Sequence, residues 1–205
     1  MTDTTVSFDD ARRYVARVLQ DHRTSAENAT RVAEALVLAE ADGLKGHGLS
    51  RLESYSAQAA SGKVDGHATP TVDRRAAAAI ASDAANGFAC PAIDLALSEL
   101  ATLAPKAGMA GAGIRRSHHC GAAGHHVERL AREGLVGLMF ANTPEAIAPW
   151  GGSAAVFGTN PIAFAVPVDG AEPLVVDLSE RRLCEVRPHR WLRVIGPPAL
   201  AGTAP

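Results

Sequence analysis

The spacing of apolar residues changes character about a third of the way along the chain, and this change constrains the fold more than any other feature. Up to residue 66 they recur every three to four positions. Phe8, Ala11, Val15, Val18 and Leu19 follow Ser7, and Ala29, Val32, Leu36 and Ala39 follow Ser25, which predicts two amphipathic helices with serine N-caps. Gly43 stands where a glycine ends the second, and a third helix is expected from Leu49 to about Ala60, stopping at Gly62. Beyond residue 66 short apolar runs take over. TPTVDRRAAAAIASDA reads as two extended segments around a charged turn, followed by a helix from Phe88 to Leu103, a strand from Met109 to Ile114 and a helix from Ala122 to Arg132. Leu135–Asn142 reads as a buried strand, with shorter ones at Phe164–Val166 and Leu174–Val176. The class expected is α/β, with an N-terminal helical segment over 1–66 and a mixed α/β region over 67–180.

Composition sharpens this. Of the 47% hydrophobic residues, about 96 positions, 41 are alanine, which favours closely packed helices over a bulky aromatic core. A net charge of −2 lacks the basic surface that wraps phosphate backbones, so nucleic acid is not an expected partner. No apolar run reaches the roughly 20 residues that span a bilayer, and the N-terminus lacks a signal-peptide stretch; the expectation is a soluble, cytoplasmic protein with no membrane partner. Cys90, Cys120 and Cys184 are odd in number and far apart, which fits reduced thiols. Residues 181–205 stand apart, with five arginines against one acid, four prolines and no periodicity, while the preceding 180 residues carry about −6. This tail reads as a frameshifted or misassembled end, or else as a disordered one.

Chemistry concentrates in three regions. In Asp42-Gly-Leu-Lys-Gly-His-Gly-Leu-Ser-Arg51, the glycines at 43, 46 and 48 are expected to bend the chain through angles closed to other residues and bring His47 beside Arg51. An arginine fork binds a carboxylate with two parallel hydrogen bonds, and an imidazole can orient or protonate the neighbouring oxygen. The plainer alternative is a helix cap, a loop histidine and a solvated arginine. The second region, Arg115-Arg-Ser-His-His-Cys-Gly-Ala-Ala-Gly-His-His126, follows a predicted strand and holds four histidines within nine residues. Acid–base use of one of them fits better than a metal site, since no carboxylate or cysteine pattern completes a ligand set; His125 and His126 are expected on a helix surface, and Cys120 as a small packed side chain. The third region comprises Asn142–Gly152, Phe157-Gly-Thr-Asn-Pro161 and Val175–Ser179, where polar groups and glycines follow strand ends and suit either a nucleotide or ordinary turns. Gly108-Met-Ala-Gly-Ala-Gly113 has the wrong spacing for a Rossmann fingerprint.

DGLKGHGLSRLESY, GIRRSHHCGAAGHH, GLVGLMFANTPEAIAPWGG and FGTNPIAFAVP through VVDLS, in this order over about residues 8–180, resemble the type-2 malate/L-lactate dehydrogenase family, which includes ureidoglycolate and sulfolactate dehydrogenases and Δ1-piperideine- and Δ1-pyrroline-2-carboxylate reductases. The resemblance implies a non-Rossmann α/β fold that binds NAD or NADP, works as a homodimer, and moves a hydride to or from the α carbon of a small 2-hydroxy or 2-oxo acid, or reduces a cyclic 2-imino acid. It makes His119 the catalytic histidine, His47 and Arg51 the substrate-side residues, and Thr143, Asp177, Leu178 and Ser179 nucleotide contacts, with no metal. Two departures stand out. Lys45-Gly46-His47-Gly48 replaces the family's His-Ser-His-Gly, removing a serine hydroxyl, and the family's later glycine-rich, lysine-bearing segments do not follow DLS. The chain is therefore also expected to be a truncated form, with an inactive fragment as the rival reading and a histidine-rich metal carrier as a more distant one.

Overall fold

The computed structural model describes residues 5–178; the tail from 181, with Cys184, and Ser179 lie outside the described residues. The chain forms two compact units, one ending at Ala122 and one beginning at Ala123.

In the first unit, α1 (Phe8–Asp21) and α2 (Ala26–Ala41) begin as the sequence predicts: Ser7 Oγ accepts from the Asp10 amide at 3.1 Å and Ser25 Oγ from the Asn28 amide at 3.3 Å. Each cap satisfies an otherwise orphaned donor, worth about 1 kcal/mol. A 3-10 turn, Leu49–Arg51, leads directly into α3 (Leu52–Ala60). Val15, Leu19, Val32, Leu36, Tyr55 and Phe88 form the centre of this helical core, and alanines 29, 33 and 59 fill it without holding the helices apart. Asn28 Nδ2 ties the segment down by donating to the carbonyls of Gly66 and Ala68, both at 2.9 Å.

A three-stranded mixed sheet, ordered β1 (Thr71–Ala76), β2 (Ala79–Asp83), β3 (Gly111–Arg115), completes the unit. β1 and β2 are antiparallel. Their turn is Ala77–Ala78 and carries no charge, a correction to the expected charged turn: Asp73, Arg74 and Arg75 lie within β1, an almost fully exposed edge strand where charge costs little and discourages further pairing. β2 and β3 are parallel, and α4 (Ala89–Ala107) supplies the crossover such a pair requires. Ile80, Ala96 and Leu103 form its buried contact with the sheet. Gly108, at φ +78°, ends α4 in a left-handed C-cap and forms no part of a phosphate loop.

In the second unit, α5 (Ala123–Arg132) covers one face of an antiparallel sheet of β4 (Gly137–Phe140), β5 (Ile162–Val168) and β6 (Ala171–Leu178). Ala123, Val127 and Ala131 pack on Ala163, Ala165 and Val175. A Cβ on Gly137 would meet the Val127 carbonyl at 2.9 Å, so helix and strand backbones touch there. The alternate residues Leu138, Phe140, Ile162 and Phe164 are on the exposed face; β4 is thus covered on one side only, which corrects the expectation of a fully buried strand. His125 and His126 are buried as well, at 7% exposure each, against the expected surface positions. The enclosed first turn of α5, where residues 123–127 are all buried, accounts for it. Among the described residues, no helix is long and apolar enough to cross a membrane.

Candidate active site

The parallel pairing of β2 with β3 sets Asp83 against Arg115 and brings the loops after both strands side by side. The Ala84 amide donates to the Arg115 carbonyl at 3.0 Å, the Asn86 amide to that of Arg116 at 2.8 Å, and the His118 amide to that of Gly87 at 3.0 Å. Asp83 clamps the arrangement. Its carboxylate accepts from Arg116 Nε at 2.9 Å and Nη2 at 2.8 Å in a bidentate pair, from Arg115 at 2.8 Å and from the Ala85 amide at 2.9 Å. Hydrogen bonding to Arg116 first, then to Ala85, lowers its pKa to about 2. Arg116 sits at φ +51° and Ala85 at +52°, sparsely populated angles for side-chain-bearing residues that this clamp sustains.

His118 and His119 follow directly. The Gly121 amide, which can only donate, lies 3.2 Å from His119 Nδ1, so the neutral ring carries its proton on Nε2 and the Tyr55 hydroxyl, 2.7 Å from the same Nδ1, is a donor to it as well. Burial, then the charge of Arg51 and the rings of His47 and His118, lowers the His119 pKa to about 4. The ring is neutral at pH 7. His118 packs edge-on to Tyr55 (centroids 4.6 Å apart) and to Phe88 (5.6 Å), with Nε2 3.3 Å from Gln58 Oε1 and Nδ1 buried without a hydrogen-bond partner. Burial, then Lys63 and Arg51, lowers its pKa to about 4.

The 42–51 loop supplies the remaining members. Gly43, at φ +70°, turns the chain out of α2. Gly48 is needed for a different reason, since its backbone lies against α2 and a Cβ there would stand 2.9 Å from the Glu40 N and Cα. Glu40 Oε2 fixes this approach by accepting from the Leu49 amide at 2.9 Å. Gly46 has neither a left-handed φ nor a close neighbour, so the expectation that all three glycines serve backbone angles holds for Gly43 alone. Arg51 Nε donates to the Gly46 carbonyl at 2.6 Å, which holds the guanidinium against the loop. The His47 ring lies 5.4 Å from that of His119, tilted by 32°.

The structure thus brings His47, Arg51 and His119 into one cluster. The predicted nucleotide contacts lie in the second unit with separate partners. Thr143 Oγ1 accepts from the Thr159 amide at 2.7 Å and the Asn160 amide at 3.4 Å, joining the 143 and 157–160 loops, while Asp177 Oδ2 accepts from the Gly124 amide at 2.8 Å at the start of α5. Leu178 ends β6 and is exposed. Among the described residues no group of three His, Cys, Asp or Glu side chains could hold a metal ion. Sequence reasoning missed Tyr55, whose signal is its position four residues after Arg51, and Asp83, whose partners are 32 and 33 residues away.

A model of the malate/L-lactate dehydrogenase family matches residues 6–180. The chain belongs to this family. It is 47% identical over 174 residues to a (2R)-3-sulfolactate dehydrogenase (NADP(+)) of Chromohalobacter salexigens, covering 85% of this chain and 52% of that relative. It is 43% identical over 175 residues to a Δ1-pyrroline-2-carboxylate/Δ1-piperideine-2-carboxylate reductase of Pseudomonas syringae pv. tomato, covering 85% and 51%. Among solved structures, the Δ1-piperideine-2-carboxylate reductase of Pseudomonas syringae superposes with a TM-score of 0.82 at 42% identity, over 86% of this chain and 53% of that one. The malate dehydrogenase of Pyrococcus horikoshii OT3 gives 0.77 at 30% identity, over 85% and 50%. The chain spans about half the length of the curated relatives it matches. Both loops of the cluster, DGLKGHGLSR and RRSHHCGAAG, fall inside the matched region.

Proposed function

We propose that this chain carries the substrate-handling part of an NAD(P)-dependent oxidoreductase that transfers a hydride to or from the α carbon of a small 2-hydroxy or 2-oxo acid. The observation that carries the reading is the convergence of Arg51, His47 and the neutral His119 in one half-buried cluster. Arg51 binds the substrate carboxylate with the fork left outside its bond to Gly46. A bound carboxylate also offsets the guanidinium charge that depresses His119, raising the proton affinity of the ring when substrate is present. The neutral His119 then donates a hydrogen bond from Nε2–H to the substrate oxygen and stabilises the negative charge that hydride addition puts there, the proton that completes the hydroxyl comes from water, and His47 orients that oxygen from the other side.

The cofactor supplies the hydride. Nucleotide contacts are proposed at Thr143, Asp177, Leu178 and Ser179, the last outside the described residues; since the Thr143 hydroxyl and one Asp177 oxygen serve the protein itself, these two act by shaping the loops. Reduction of a cyclic 2-imino acid is the second reading, supported by similarity to the Pseudomonas syringae reductase, and uses the same groups with nitrogen in place of oxygen. A homodimer belongs to this proposal on the family resemblance.

The test follows NADH or NADPH absorbance with oxaloacetate, pyruvate, 3-sulfopyruvate and Δ1-piperideine-2-carboxylate. Turnover of one of them, reduced about 10²-fold or more in His119→Ala with little change in melting temperature, is the expected result. Turnover by His119→Ala equal to the parent removes His119 from the chemistry, and no turnover of any substrate with either nucleotide overturns the proposal.

A further inference from the structure

Tyr55 is buried in α3 at 4% exposure, and its ring is held by Phe88 (centroids 5.9 Å apart) and by the edge of His118. Its hydroxyl nonetheless reaches 2.7 Å to His119 Nδ1, the nitrogen that the Gly121 amide also addresses. Two donors on one nitrogen leave it no proton of its own. We propose that Tyr55 is a positioning residue for His119: with the Gly121 amide it fixes the ring as the Nε2–H tautomer and aims that edge away from the helical core, toward substrate. The inference rests on the reading of His119 as the substrate-facing histidine.

The phenol acts as a fixed donor and does not relay protons. Burial raises its pKa well above the ordinary tyrosine value, with Cys90 and Cys120 adding to the rise and Arg51 opposing it, so passing its proton to Nδ1 would leave a buried phenolate. Protonation of His119 is opposed on the same nitrogen. An imidazolium needs an Nδ1–H where two donors already point, so the phenol would have to turn and the Gly121 amide would lose its acceptor. Among the described residues, the charged and titratable groups that shift the His119 ring are Arg51 from the 3-10 turn, His47 from the preceding loop and His118 beside it, none of them an acid that would restore the charged form.

The experiment uses the 205-residue protein labelled with 15N-histidine, with His119 assigned from the spectrum of His119→Gln. Long-range 1H–15N correlation reports the tautomer and the midpoint of protonation. In the parent protein His119 should be the Nε2–H form at pH 7. Tyr55→Phe keeps the ring volume and removes the donor; the Nδ1–H form should then appear and the midpoint rise by about half a unit to one unit. Incorporation of 3,5-difluorotyrosine gives a second arm that leaves every residue in place. The other tyrosine, Tyr14, is 66% exposed on α1, and the stronger donor at 55 should lower the midpoint. An unchanged tautomer and midpoint in Tyr55→Phe, or in the fluorinated protein should Tyr55→Phe not fold, overturns the proposal. Because no substrate enters these measurements, a tautomer that responds in a protein turning over no 2-oxo or 2-imino acid upholds the positioning role and removes the proposed function instead.

Discussion

Gly48→Ala tests whether the loop carrying His47 and Arg51 is seated on α2 by direct backbone contact. The added methyl would stand 2.9 Å from both the Cα and the amide nitrogen of Glu40, where favourable carbon contacts begin near 3.5 Å. Both neighbours are main chain in the last turn of α2, where no side-chain rotation relieves the contact, and relief requires the loop to lift by about half an ångström or more. Such overpacking costs about 1–3 kcal/mol. At roughly 2–4 °C per kcal/mol for a protein of this size, the melting midpoint should fall by about 2–12 °C. The same motif contains its controls. Gly46→Ala meets nothing within 4 Å and has no left-handed φ, so it should stay within about 0.5 kcal/mol of the parent; Gly43→Ala, at φ +70°, should lose about 1–2 kcal/mol through backbone strain alone. Thermal melts by circular dichroism of the three variants, run together, give the comparison. A Gly48→Ala protein that melts with the parent, or a Gly46→Ala protein that loses as much, refutes the claim that Gly48 is required by contact.

Arg51→Lys, which keeps the charge but not the planar fork, should raise the Michaelis constant for the acid substrate about tenfold and leave the nucleotide dissociation constant unchanged; a change confined to the nucleotide would assign Arg51 to the other ligand. Asp83 has a folded pKa near 2 against about 3.9 for an unfolded aspartate, so its contribution is fully present above about pH 4 and fades as pH falls toward 2. Urea titrations of Asp83→Asn should therefore show lower stability than the parent at pH 7 and a shallower loss from pH 4 to 2; parallel curves would mean that the clamp to Arg116 contributes nothing. His118 and His119 are depressed from about 6.5 to about 4, so an unfolded chain binds more protons than the folded one between those values, and stability should fall as pH drops from 6.5 to 4. In His119→Gln that slope should be smaller, and an equal slope would place the titration elsewhere.

Much of the helical half was legible because its signals are local. Ser7 and Ser25 cap the helices they precede, and Gly43 and Gly62 turn the chain at φ +70° and +77° where a C-terminal glycine was expected. The strands were less legible, because alternation says that two faces differ without saying which is covered. Leu138 and Phe140 alternate with Gly137 and Met139 as a strand should, yet Gly137 and Met139 face α5, beside Ala163 and Ala165, while Leu138 and Phe140 face outward. Alanine-rich packing inverts the usual inference: where helix and sheet backbones approach closely enough for Gly137 to touch Val127, the covered face is the one with less side chain.

The candidate site divides along the same line. His47, Arg51 and His119 stand out because each lies in a glycine-rich loop with a reactive neighbour, and such a pattern can be read within ten residues. What holds them cannot. Asp83 reads as an ordinary strand-end carboxylate until β2 and β3 pair in parallel; only that register sets it opposite Arg115 and within 2.9 Å of Arg116, 33 residues away. Tyr55 likewise reads as one more core aromatic on α3, and it acquires a partner only when the β3 loop, 64 residues later in sequence, brings the His119 ring to 2.7 Å from its hydroxyl. The groups proposed to meet substrate are thus declared by local composition, whereas the groups that set their tautomer and position come from pairings between distant segments. A substitution at the first kind should change turnover with little effect on folding. One at the second should move pH dependence, stability and turnover together, and Asp83→Asn, by loosening a clamp that touches no substrate, is the variant in which all three should shift.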